Sequence, residues 1–183
     1  MNNTNKLILG LTASLAMVAA AASPSHSASF GPSAGEREFS IAGTGSNDRN
    51  FDSGNFGLVL EHGWYVRDHV VWGIRQSVNY ANIQGESFED DFWNGATRAY
   101  MDYQFGSERA RPFVGGSLGY IYGDGVNDSG FAGAEFGVKY YVLTNTYILG
   151  RVEYQWYFDS DSDADEAFKD GSYSHTLGIG YNF

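Results

Sequence analysis

Two kinds of residue in this chain have the types and spacing for chemistry: a set of charges at strand-like intervals, and a few histidines beside polar neighbours. The charges are Glu61, Arg75, Arg98, Asp102, Glu135, Lys139, Arg151 and Glu153. Each falls on the opposite parity from the large apolar residues around it. Side chains alternate across a strand, so all eight leave a greasy face and share a thin one that is otherwise Gly, Ser, Asn and Gln. Four are acids and four are bases, the composition of an ion-pair network. Buried pairs hold only when fully hydrogen-bonded. Glu61 and Arg75 flank a tight turn centred near Asp68, which places them opposite each other across a hairpin.

The histidines support less. His62 follows Glu61, but adjacent strand residues point to opposite faces, so they form no dyad. His69 lies in a turn. His175, within Ser174-His-Thr-Leu177, reads as an interfacial histidine. The run Asp159-Ser-Asp-Ser-Asp-Ala-Asp-Glu166 invites a calcium reading, because an EF-hand loop takes acids at its first, third and fifth positions. Ala164 stands where that loop needs Gly and Asp170 where it needs Glu, so the run reads as a solvated acidic loop. No catalytic residue, metal or cofactor is assigned.

The elements that must position the charges recur along the chain. Aromatic-rich alternating segments are predicted near residues 37–44, 55–65, 70–81, 96–105, 112–122, 131–142, 147–158 and 173–183. Clusters of Gly, Asn, Asp and Ser separate them. The connections alternate between short (66–69, 106–111, 143–146) and longer, more polar ones (45–54, 82–95, 123–130, 159–171). Short turns at one end and long loops at the other are the habit of outer-membrane barrels.

The amino terminus is read apart, as a signal peptide over residues 1–28 with cleavage between 22 and 28, ahead of a barrel domain at 36–183. Its apolar run is about sixteen residues, short of the roughly twenty that a spanning helix needs. There is no cysteine, hence no disulfide framework. The net charge of −11 argues against a nucleic-acid partner, which wants a basic surface. Much of the excess sits in connections, at Glu86, Glu89, Asp90 and Asp91 and over residues 159–170.

Two closed barrels compete for this pattern. A soluble lipocalin-like barrel puts its apolar face inside; a membrane barrel inverts it. Placing the charges on the thin face, inside an interior just wide enough for side chains, decides for the second. The expected fold is all-β: an eight-stranded antiparallel transmembrane up-and-down barrel. The large apolar face would aggregate in water, and its Tyr and Trp residues gather near strand ends as interfacial girdles do.

Over residues 36–183 the chain resembles the small outer-membrane β-barrels: OmpA-type transmembrane domains, OmpX and Opa-like proteins of the "porin family". The most specific piece is Thr176-Leu-Gly178-Ile-Gly-Tyr181-Asn-Phe183, which matches that family's terminal assembly motif, polar-x-Gly-x-x-aromatic-x-aromatic. Arg111-Pro-Phe-Val-Gly-Gly-Ser-Leu-Gly-Tyr120 is similar to the family's fifth strand. The resemblance implies a Gram-negative outer-membrane location, contact with outer-membrane lipid and lipopolysaccharide, and recognition by the barrel-assembly machinery. Some barrels of this size are lipid A-modifying enzymes; the deacylase type carries His-x-Ser, which the sequence around His175 lacks. The reading is a non-enzymatic protein with a structural or surface-interaction role, in envelope integrity, adhesion or recognition of a host or surface ligand through acidic loops. The alternatives are a small-solute porin and then a lipid A-modifying enzyme.

Overall fold

The computed structural model describes residues 30–48, 54–82, 91–123, 128–158 and 171–183. The alternating segments form eight strands: β1 (Arg37–Asp48), β2 (Gly54–Arg67), β3 (Val70–Asn82), β4 (Asp91–Gln104), β5 (Ala110–Gly123), β6 (Ser129–Tyr141), β7 (Thr146–Tyr157) and β8 (Ser172–Asn182). They pair antiparallel in chain order, and β8 returns to β1 to close a barrel. Closure leaves no strand edge, which an element crossing hydrocarbon requires.

Two expected boundaries move. β4 begins at Asp91 rather than near residue 96, because Asn79 to Asn82 of β3 stay paired with Asn94 to Asp91. β1 runs on to Asp48, held by its ladder to β8 down to Ser172. Gly, Asn and Asp read locally as loop, yet backbone pairing to a fixed neighbour outweighs that weak preference. The acidic stretches at Glu86, Glu89, Asp90 and residues 159–170 lie outside the described residues; Asp91 opens β4.

The short turns, at 68–69, 105–109 and 142–145, share one end of the barrel with residues 30–36 and Phe183. The hairpin from β2 to β3 carries an irregularity between Tyr65 and Arg67, where one extra residue is absorbed. Gly106 takes φ +76° at the start of the next turn, a conformation that suits glycine.

The large apolar side chains point outward. Leu177 is 69% exposed, Leu118 64% and Phe136 62%, while the charged residues of the opposite parity are buried. This is the inverted, membrane-type arrangement. The outer wall makes a direct test available: Leu177→Arg is expected to cost roughly 2–4 kcal/mol in lipid vesicles, the range for a cation facing hydrocarbon. Urea unfolding of the vesicle-inserted protein measures it. A change within half a kcal/mol would place Leu177 outside the hydrocarbon.

The inner face departs from the thin composition expected of it. Towards the turn end it holds Tyr65, Val71, Tyr100, Phe113, Tyr141, Tyr147 and Leu149, all buried. Glycines on neighbouring strands make the space. A Cβ on Gly73 would stand 2.7 Å from the Tyr100 ring, and one on Gly180 would run into the Tyr147 ring. The small residues and the large ones on this face are therefore partners in one packed layer.

Candidate functional site

All eight charges anticipated for the interior are buried there. The hairpin ladder sets Glu61 opposite Arg75, and Arg75 Nε donates to Glu61 Oε1 at 3.1 Å. The main partner of Arg75 lies elsewhere, on the far wall. Its Nη1 and Nη2 donate to Glu135 Oε2 and Oε1 at 2.7 and 2.9 Å, a bidentate fork from β3 to β6.

The same cross-lumen pattern repeats. Arg98 on β4 reaches Glu153 on β7 at 2.5 Å, and its Nη2 donates to the Ser77 hydroxyl at 3.3 Å. Arg151 on β7 donates to Glu61 on β2 at 2.7 Å and to Thr176 Oγ1 at 3.3 Å. Ser117 and Gln155 donate to Glu153 at 2.5 and 2.9 Å. Carboxylates with several donors and guanidiniums with several acceptors are the condition under which buried charge is tolerated.

Apart from Glu61 beside Arg75, the charged neighbours along the sheet are of like sign. Arg75 stands directly opposite Arg98, and Glu135 opposite Glu153. Such pairs destabilise an ordinary sheet. Here two arginines on one wall face two glutamates on the other, and the lumen supplies the pairing that the ladder denies.

Asp102 is the exception among the eight. It is buried against the carboxyl of Glu135, makes no ion pair among the described residues, and leaves Oδ1 without a hydrogen-bond partner. Its carboxyl fits only because Gly115 stands opposite; a Cβ there would occupy the place of Oδ1.

Two interior charges were missed from sequence. Glu38 on β1 accepts from Lys139 Nζ at 2.6 Å, Tyr65 OH at 2.5 Å, Tyr100 OH at 3.1 Å and Tyr147 OH at 3.1 Å. It is the hub of the turn-end half of the lumen. The signal for it was present, since Glu38 has the opposite parity to Phe39 and Ile41. Arg111 lies at the start of β5 with its guanidinium 5.6 Å from the Tyr141 ring centroid. With Glu38 and Arg111, the buried acidic and basic residues number five each among the described residues.

The remaining sequence candidates lie apart from the lattice. His62 faces outward, edge-on to Trp64 with centroids 4.5 Å apart, while Glu61 beside it points inward. His69 sits in the first short turn with its ring centroid 6.2 Å from that of Tyr103. His175 lies on the outer wall, paired in register with Gly45 and Val152. On β8, Thr176 faces the interior; Tyr181 and the following Phe183 face outward, with rings stacked at 6.4 Å. Gly178 packs its backbone against Ala42. Among the described residues no three or more His, Cys, Asp or Glu are grouped to hold a metal ion.

No family model matches the chain, and no curated protein matches it. Solved structures do. Neisserial surface protein A superposes with a TM-score of 0.60 at 16% identity, covering 81% of this chain and 96% of that one. The outer membrane protein OprG from Pseudomonas aeruginosa gives 0.59 at 12% identity, covering 84% and 98%. The Yersinia pestis outer membrane protein Ail in a phospholipid nanodisc gives 0.54 at 15% identity, covering 81% and 99%. Identities this low carry the architecture alone. The eight strands closed in chain order, the apolar wall turned outward and the charges locked inside are the fold of the small eight-stranded outer-membrane β-barrels.

Proposed function

We propose that this protein resides in the outer membrane as a closed barrel whose role is structural or interactive rather than catalytic or conductive. The observation that carries this is the lattice spanning the lumen. Arg75 to Glu135, Arg98 to Glu153 and Arg151 to Glu61 cross it from wall to wall. Below them the tyrosines around Glu38 fill the turn end. An eight-stranded interior is just wide enough for side chains to fill, and this one is filled. What is left for contact is the outer wall, for lipid and lipopolysaccharide, and the acidic loops, for a host or surface ligand. The outward aromatics Tyr181 and Phe183, with Thr176 and Gly178, are the part of β8 offered to the barrel-assembly machinery.

Planar-bilayer recording of the purified protein separates this from the small-solute porin. The expected trace shows no steady open conductance; a sustained ion-selective current would overturn the closed-lumen reading. Deleting residues 87–90, which stop short of β4, and 160–169, with adhesion and permeability measured together, tests the loops. Adhesion is expected to fall with permeability unchanged. The opposite result would move the function to the lumen.

A further inference from the structure

Residues 30–36 precede β1 and cross the turn-end mouth of the barrel. At one side, Phe30 packs against the cluster of Phe113, Tyr141, Tyr147 and Leu149. The Arg109 guanidinium lies 4.3 Å from the centroid of the Phe30 ring, and Arg111 Nη2 donates to the Phe30 carbonyl. Gly31 N donates to the Thr144 carbonyl at 3.1 Å in the turn after β6. At the other side, Ala34 N donates to Asp68 Oδ1 at 2.8 Å and Gly35 N to the Tyr65 carbonyl at 2.8 Å. The eight strands close in chain order, so β2 and β6 stand on opposite walls. The segment therefore spans the mouth from side to side, with Pro32 buried in between.

The crossing is shaped for its place. Gly31 has φ +84°, and a Cβ there would run into the Arg111 guanidinium. Behind the segment, Gln104 is 0% exposed although it is the last residue of β4. The Glu38–Lys139 pair is likewise shut away from water.

We propose that residues 30–36 are a strap that seals the turn-end mouth, and that its detachment is the step that exposes the buried turn-end layer, with Gln104 and the Glu38–Lys139 pair, to water. Phe30 is the latch and Gly31 lets the chain pass Arg111. A local opening of this kind is governed by the few contacts that hold the segment, separately from global unfolding.

The chain has no cysteine, so a single Gln104→Cys is a clean reporter. Its reaction with a water-soluble maleimide is measured on protein in detergent micelles, alone and combined with Phe30→Ala or Gly31→Ala. Heat-dependent gel mobility confirms that each variant is folded. The strap predicts slow modification of the reporter alone and acceleration of about tenfold or more in both combinations, since each loosens the latch by a different contact. An unchanged rate in a folded combination would overturn the proposal. If Phe30→Ala fails to fold, Gly31→Ala decides alone.

Discussion

Replacing Arg75 by alanine is expected to destabilise the barrel by about 3–5 kcal/mol, the cost of leaving a buried charge without its partner. Glu61 retains Arg151 at 2.7 Å after the change. Glu135 does not fare as well: it loses both prongs of the fork, and the one cation within 4.0 Å that it keeps among the described residues is Arg151, through Nη1 at 4.0 Å. The hairpin neighbour is thus the lesser loss and the cross-lumen partner the greater. Arg75→Met with Glu135→Leu should return most of the deficit, to within about 1–2 kcal/mol of the starting protein, since a packed apolar pair can replace a buried ionic one. Urea midpoints in lipid vesicles measure both. An Arg75→Ala midpoint that stays in place would remove this residue from the lattice, and a double variant as weak as the single would break its link to Glu135.

Glu38→Ala is expected to cost a similar 3–5 kcal/mol, for a different reason. It leaves Lys139 without an ion-pair partner among the described residues and withdraws the acceptor shared by Tyr65, Tyr100 and Tyr147. Tyr65 keeps a bond from the Gln104 amide at 2.7 Å, so part of the network persists. Glu38→Gln preserves shape and one acceptor oxygen, and a smaller loss of about 1–3 kcal/mol is expected. Adding Lys139→Met to Glu38→Gln removes the stranded cation and should recover stability. If Glu38→Ala and Glu38→Gln unfold at the same midpoint as the parent, the carboxylate is not the hub.

The strands and their parity were legible because alternation is local: each residue reports its own face. Orientation was legible too, since Arg98, Lys139 and Arg151 all shared the thin parity. The partners across the lumen were not. Arg75 and Glu135 are brought together by barrel closure, and nothing within either segment announces it. Glu61 and Arg75 were paired correctly because a hairpin is the one long-range contact that spacing around a turn reveals. Glu38 was overlooked because its segment has few large residues, although its parity carried the information. Tyr100 shared the inward parity of Arg98 and Asp102, but the layer it forms with Tyr147 was not legible, because their space is made by Gly73 and Gly180 on other strands. The strap was invisible for a similar reason, since residues 30–36 show no periodicity and are placed by the turns they touch.

The like-sign neighbours have a consequence for how the barrel reaches its final form. Laid flat, the sheet sets Arg98 beside Arg75 and Glu135 beside Glu153, and the members of each pair repel one another. Arg75 already has Glu61 across the β2–β3 hairpin; the rest of the repulsion is relieved when the far walls face each other in the correct stagger. A barrel with a strand too few, or one slipped by a two-residue step that keeps every side chain on its proper face, would misalign the forks and keep the repulsion. Hydrophobic matching to the membrane tolerates such errors, because one outward Leu is much like another. The interior charges do not, and so they act as a proofreading step for strand number and register at the moment of closure.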